Sequence, residues 1–437
     1  MPFETKGPAT RKIAIIGGGI SGMAAAHMLC RDHKVVVFEA EPRLGGHART
    51  VLAGKRGDQP VDTGFIVFNH VNYPNLVRLF EELGVPTAKS DMSFGASIGG
   101  GAFEYGFRDW AGLVAQKSNI VNPRYWGMLR DIMRFNKQAE ALADDGSMTI
   151  RDLLTRLGAG DWFRDYYLLP LSGAIWSTPT TGILDFPARA MIDFFKNHAL
   201  LGVTGQHQWY TVQGGSVEYV RRVQAALERA GVEVRLGAPV AAVKRCAGGV
   251  EVRAVGAEWE GFDEVIFATH SDDSLRLLAD ASAAEAAHLG AIRYQPNDVV
   301  LHADATLMPK RRAAWASWVY VEGAGPRPDR IDLTYWMNSL QPIPLDDPLF
   351  VTLNANKPIN EALIHDQITF RHPVYDLGAL AAQKAIRAAN GTNATWFCGA
   401  WMRNGFHEDG FASAVDVVDA LRARPIQPMV QEAVQVA

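Results

Sequence analysis

A β-branched run, Lys12-Ile13-Ala14-Ile15-Ile16, leads at once into Gly17-Gly18-Gly19-Ile20-Ser21-Gly22 and then into the helix formers Met23 to Leu29. That order constrains the fold more than any other feature of the chain. A short, wholly apolar branched run suits a strand buried on both faces. The spacing Gly17-x-Gly19-x-x-Gly22 permits a tight turn, a close approach of backbone to pyrophosphate and close packing of helix on sheet. The helix that follows aims unpaired N–H groups and the positive end of its dipole at phosphate. A second buried run, Lys34-Val35-Val36-Val37-Phe38, ends at Glu39, roughly 20 residues beyond the first glycine. A carboxylate there accepts hydrogen bonds from a ribose diol and repels a 2′-phosphate; a surface glutamate closing a strand would look the same. The expectation is a strand–helix–strand unit of an α/β, Rossmann-like nucleotide domain, with Gly17, Gly19, Ile20, Ser21, Gly22 and Glu39 at the cofactor.

The next segment, Glu39-Ala40-Glu41-Pro42-Arg43-Leu44-Gly45-Gly46-His47-Ala48-Arg49-Thr50, resembles the second glycine motif of the flavin-containing amine oxidase superfamily, which also holds carotenoid desaturases and protoporphyrinogen oxidase. The resemblance implies that Ala40, Arg43, Gly45, Gly46 and His47 lie along the cofactor. The family's arginine after the two glycines is replaced here by His47, so the phosphate contact passes to Arg43, Arg49 or a backbone N–H. Val61-Asp62-Thr63-Gly64-Phe65 is similar to the family's next turn, which implies Thr63, Gly64 and Phe65 beside an isoalloxazine, and Val240 falls where the family contacts adenine through its backbone. Phe397-Cys398-Gly399-Ala400 and His407-Glu408-Asp409-Gly410-Phe411-Ala412 resemble the C-terminal flavin motif, implying roles for Gly399, Gly410, Phe411 and Ala414 and a helix N-terminus facing the flavin's pyrimidine edge. The cofactor so implied is FAD. Cys398 aligns with a small strand residue rather than an attachment point, which implies non-covalent binding.

At 437 residues the chain holds more than one domain's worth of material. The expected architecture is amine oxidase-like: an FAD-binding domain from 10–70, 208–290 and 391–424, interleaved with an α+β substrate domain from 71–207 and 291–390, and a tail at 425–437. A net charge of -4 argues against a nucleic-acid partner. Cys30, Cys246 and Cys398 are too scattered for a disulfide framework, and no His/Cys cluster has metal spacing, so no metal is expected. No apolar segment follows the N-terminal charges and no run is long enough to span a bilayer, which places the protein in the cytoplasm. The mix of cations with Trp, Met and Phe from Arg124 to Phe135 suits either peripheral contact with the inner membrane surface or an ordinary surface helix.

A flavin accepts a hydride, so the substrate is an amine, an alcohol or a hydrocarbon already carrying a double bond. The aromatic stretch around Tyr167, together with Trp209 and Trp401, would line a site for a hydrophobic molecule, although large cores use the same residues. His302, Tyr210 and Trp336 are the catalytic candidates; a strand histidine such as His302 also commonly serves as a bonded core residue. Many amine oxidases carry a lysine beside the flavin, and the matching strand here, Asn297 to His302, has a valine near that position. Trp209-Tyr210-Thr211-Val212-Gln213-Gly214-Gly215-Ser216 and Asn197-His198-Ala199-Leu200-Leu201 resemble a bacterial subgroup associated with cyclopropane and methyl-branched fatty acid metabolism. That implies desaturation of a fatty-acyl chain, free or in a phospholipid, by hydride transfer to flavin N5. The alternatives are an oxygen-dependent flavin amine oxidase and a lipid-binding flavoprotein without turnover.

Overall fold

The computed structural model describes residues 10–143, 148–176, 180–202, 207–325 and 330–424, so the expected tail at 425–437 lies outside the described residues. The chain divides into two compact units, one from residues 1–48, 219–293 and 378–437, the other from 49–218 and 294–377.

The first unit is built on a five-stranded sheet whose spatial order is Glu233–Arg235, Lys34–Phe38, Lys12–Ile16, Glu264–Phe267, Thr395–Phe397. Every pairing is parallel. Numbered along the chain that order is 3-2-1-4-5, and it reverses direction beside the first strand, where doubly wound sheets open a crevice at their carboxyl ends. Ile13, Ala14, Ile15, Val37, Val265 and Ile266 have no exposed surface, as strands covered on both faces require. The helices Ile20–Leu29 and His407–Ala423 pack on each other against this sheet. Arg11, itself buried, donates to the carbonyls of Leu421 (2.8 Å) and Arg424 (2.9 Å), which satisfies acceptors orphaned at the end of the closing helix.

The second unit holds a seven-stranded sheet in the order Ile364–Val374, Arg293–His302, Phe350–Leu353, Leu333–Trp336, Trp318–Val321, Phe94–Ile98, Phe103–Gly106. A three-stranded sheet (Val67–Asn69, Trp209–Val212, Thr87–Ser90), a hairpin of Thr50–Ala53 with Gln59–Asp62, and helices that include Pro123–Leu142, Ile150–Leu157, Leu169–Trp176 and Ala188–Asn197 complete it. The expected boundaries at 70 and 208 fall inside this unit. The reason is local: the Thr50–Asp62 hairpin and the Trp209–Val212 strand make their ladders with residues of the second unit.

Candidate functional site: a glycine cradle and its second unit

Gly17 sits at φ +104°, and its N–H donates to Phe38 O (2.8 Å), so the turn is tied to the end of the neighbouring strand. Only glycine takes that φ without strain. The first intrahelical bond runs from Met23 N–H to Gly19 O (2.9 Å), leaving the amides of Ile20, Ser21 and Gly22 ahead of the ladder. No side chain caps this end and no acid stands in its first turn. A second turn lies against the first: Gly45 N–H donates to Gly18 O (2.9 Å), and Gly45 and Gly46 take φ +117° and +55°. A Cβ on Gly46 would come within 3.2 Å of Gly19 Cα, whereas a Cβ on Gly19 would meet no atom within 4 Å. Gly46 thus closes on the Gly19 backbone, while the side that a Gly19 side chain would occupy is open. An opening of that kind over an uncapped helix N-terminus fits a pyrophosphate.

Glu39 Oε2 accepts from Gly18 N–H (2.6 Å) and Oε1 from Glu41 N–H (2.8 Å), so the carboxylate is held at the strand end with lone pairs left for a diol. Both expected cations are engaged by protein groups. Arg43 donates to the carbonyls of Ala48 (3.1 Å), Gly46 (3.1 Å) and Leu44 (3.3 Å), stapling the second glycine turn, and Arg49, in the second unit, is bidentate to Asp366 (2.6 and 3.0 Å). Ala40 is exposed, and Val240 opens the strand paired with Gly249–Ala254.

The closing helix brings a second N-terminus to the same place: a Cβ on Gly410 would meet Ile20 Cγ2 at 2.8 Å and Ser21 Oγ at 2.9 Å. Phe411 and Ala414 face the core. This end is occupied in a way the motif did not reveal. Asp409 accepts from Phe406 N–H (2.9 Å) and burial pushes its carboxyl up to about 6, while His407, pushed down to about 3 by burial and by the nearby His47, stays neutral and shares a 2.6 Å hydrogen bond with the Tyr219 hydroxyl. Gly399 N–H donates to Ser413 Oγ (2.9 Å), and the indole of Trp401 lies over Gly399 with its Nε1 donating to Thr269 O (2.9 Å). Trp401 is thus a packed residue of the nucleotide unit. Cys398 is fully buried and its thiol is pushed up to about 12, which leaves it unreactive at neutral pH.

In the second unit, Asp62 ties three segments into one turn. It accepts from Thr50 Oγ1 (2.6 Å), Ser216 N–H (2.8 Å), Ser216 Oγ (2.7 Å) and Gln341 Nε2 (2.9 Å). Burial pushes this carboxyl up to about 6 against the opposing pull of those donors. The clamp positions Thr63, Gly64 and Phe65, of which Thr63 and Phe65 are buried. The family resemblance takes in the Val61–Phe65 and Trp209–Ser216 segments separately, without showing that one carboxylate joins them.

The catalytic candidates are placed as follows. His302 has no exposed surface; its Nε2 bonds Thr352 Oγ1 (2.7 Å) and its Nδ1 accepts from Asp304 N–H (3.1 Å), so the ring locks a strand and has no nitrogen left for a substrate proton. Trp336 packs edge-on against Trp315 (5.4 Å) in a cluster with Phe350 and Val319. Tyr210 stacks on His70 (4.5 Å), Trp209 packs edge-on against Tyr73 (6.3 Å), and Tyr167 lies in an aromatic cluster with Phe107 and Phe163. His270, Asp272 and Asp273 bring ligand atoms within 4.8 Å of one another, a trio the sequence reading missed; Asp272 already accepts from Asp273 N–H (2.9 Å) and Asp273 bonds Arg276 (3.1 Å), and the cluster carries no assignment.

Burial pushes His302 down from 6.5 to about 4, so between those pH values the unfolded chain binds a proton that the folded chain refuses. Stability therefore falls as pH drops through that window, by about 2 kcal/mol at pH 5 for this residue. His302→Gln should remove that share: the difference in unfolding free energy between wild type and variant, from denaturant titrations, should shrink by about 2 kcal/mol between pH 7 and pH 5. A difference that does not change with pH would contradict the neutral assignment.

A family model described as flavin containing amine oxidoreductase matches residues 20–306. Among curated proteins, the Mycobacterium tuberculosis "Putative flavin-containing monoamine oxidase AofH" is 37% identical over 84 residues, which is 19% of this chain and only 18% of that protein. Among solved structures, a "CLA-producing fatty acid isomerase from P. acnes" superimposes with TM-score 0.67 at 16% identity, covering 94% of this chain and 98% of that one. Putrescine oxidase bound to putrescine gives TM-score 0.66 at 16% identity, covering 96% of this chain and 100% of that chain. Cyclohexylamine oxidase from Brevibacterium oxydans gives 0.62 at 16%, covering 95% and 100%. At such identities the likeness speaks for a shared two-domain FAD fold.

Proposed function

We propose, for a chain that belongs to the flavin-containing amine oxidoreductase family, that it dehydrogenates a hydrophobic fatty-acyl substrate, methyl-branched or cyclopropane-bearing and unsaturated. FAD, the cofactor of this superfamily, supplies the two-electron hydride acceptor. The carbon that gives up hydride must tolerate positive charge; an allylic carbon does and a plain methylene does not. Loss of a proton from the adjacent carbon then leaves a second double bond.

The observation that carries an acyl over an ammonium substrate is the state of the buried carboxylates in the second unit. Among the described residues these are Asp62, Glu104, Asp131, Asp304, Glu322 and Asp332. Asp62 is held by the donors named above, Glu104 pairs with Arg311 (2.8 Å), Asp131 with Arg134 (2.9 Å), Asp304 accepts from the Thr306 hydroxyl (2.6 Å) and Glu322 from the Tyr320 hydroxyl (2.9 Å). Asp332 accepts from Asn356 N–H (2.8 Å), and burial pushes it up to about 7, toward its neutral form. A buried ammonium needs a charged, uncommitted partner, and none of these six is both. The Arg293–His302 strand also carries no lysine. The fatty acid isomerase among the structural neighbours is in keeping with an acyl substrate. Amine oxidation is the second reading, favoured by the names of the two amine oxidases sharing the fold.

Anaerobic mixing of the yellow protein with unsaturated methyl-branched and cyclopropane fatty acyl chains should bleach the flavin and yield a product lighter by two hydrogens. Putrescine and cyclohexylamine should leave the absorbance unchanged. Bleaching by the amines and not by the lipids would overturn the reading, and a flavin that stays oxidised with every compound would point to lipid binding without turnover.

A further inference from the structure

We infer that the second unit docks on an anionic lipid bilayer through the face formed by residues 108–137 and Arg312, an inference independent of which substrate the protein oxidises. Five large apolar side chains stand in solvent within this one stretch of sequence: Trp110 (67% exposed), Ile120 (46%), Val121 (81%), Trp126 (43%) and Met133 (65%). The other exposed large apolar residues are scattered singly along the chain, as on any soluble surface.

The segments that present them are pinned rather than loose. Asp109 caps the Trp110–Leu113 turn by accepting from Gly112 N–H (2.8 Å). The Tyr125 hydroxyl donates to Leu113 O (2.8 Å) and Trp126 Nε1 to Ile120 O (2.8 Å), which fixes the start of the Pro123–Leu142 helix beneath the two short turns. That helix buries Tyr125, Met128, Ile132 and Phe135. Its exposed stripe, spaced i, i+4, i+7 and i+11, reads Trp126, Arg130, Met133, Lys137. A helix lying on a protein core ordinarily turns an all-polar face outward. One that alternates an aromatic and a thioether with cations on that face is shaped for the headgroup boundary, where indole and guanidinium both find partners.

Charge selects the partner. The chain carries a net charge of -4, yet residues 108–137 hold Arg108, Lys117, Arg124, Arg130, Arg134 and Lys137 against only Asp109 and Asp131. Asp131 is buried and bonded to Arg134 and Gly160 N–H (both 2.9 Å). Arg312 extends the basic face: its guanidinium lies 3.6 Å above the Trp315 ring and 4.6 Å from that of Trp336, near enough to Arg108 for the two cations to repel. No carboxylate among the described residues pairs with it. Arg108 is paired with Asp109 (3.3 Å), which leaves Arg312 without an acidic partner among the described residues; phosphate-bearing headgroups would stabilise it, and the attraction is screened by salt.

The test uses the full-length, FAD-loaded protein and sedimentation with vesicles of phosphatidylcholine alone or mixed with phosphatidylglycerol. The protein should sediment with the mixed vesicles only and be released as salt is raised. Arg124→Glu/Arg130→Glu and, separately, Trp110→Ser/Val121→Ser should each weaken that binding about tenfold or more, with melting temperature and flavin absorbance unchanged. Equal binding to both vesicle types, binding to neither, or variants that bind as the wild type does would overturn the inference.

Discussion

Gly22→Ala is expected to lower the stability of the FAD-free protein by about 3 kcal/mol or more, and FAD binding should be lost with it. The added Cβ would stand 1.9 Å from Gly17 O and 3.0 Å from Gly17 C, both backbone atoms. The turn has nowhere to retreat. Gly17 is held by its bond to Phe38 O, and a Cβ there would itself lie 2.9 Å from Ala268 O, so the strand behind the turn blocks any outward shift. Relief would require pulling the Ile20–Leu29 helix off the sheet, and the Gly410 contact with Ile20 and Ser21 would open with it. Thermal unfolding of the FAD-free variant reads the effect directly; a variant that melts with the wild type would show that the turn is not packed as described.

Gly19→Val, three residues away in the same turn, should behave in the opposite manner. Gly19 has φ -73°, ordinary for any residue, and a Cβ there meets no protein atom within 4 Å. The FAD-free protein should therefore stay within about 1 kcal/mol of wild type, the difference being the poorer fit of valine at a helix N-cap. FAD affinity should nevertheless fall about a hundredfold, or about 2.7 kcal/mol, because the branched side chain fills the opening over the helix amides. Two glycines of one motif thus serve different ends, Gly22 the packing of the protein on itself and Gly19 the approach of the ligand.

Local order was the most legible part of this chain. The strand, glycine turn, helix and second strand from Lys12 to Phe38 are encoded by consecutive residues, so buried branched runs and glycine spacing suffice to read them. The motif from His407 to Ala412 implies a helix N-terminus but not its first residue; the helix begins at His407 because its cap is set by Asp409 reaching back to Phe406, a bond no periodicity reports. Phe94–Ile98 and Phe103–Gly106 were not read as strands. They are short, each contains a glycine, and Phe94–Ile98 gains its partner, Trp318–Val321, from more than 200 residues away. The site shows the same division. Residue types in the glycine motifs could be read directly, but the partners of Arg43 and Arg49 depend on how the chain closes, and both cations turn out to be bonded to protein groups. The donors that surround Asp62 come from Thr50, Ser216 and Gln341, and nothing in their spacing connects them.

The most direct test of the cradle is a calorimetric titration of FAD into FAD-free wild-type protein and into Gly19→Val, run beside the thermal unfolding of both. The account predicts unfolding free energies within about 1 kcal/mol of each other together with FAD binding that is tight for the wild type and about a hundredfold weaker for the variant. Equal affinity of the two proteins for FAD would contradict it.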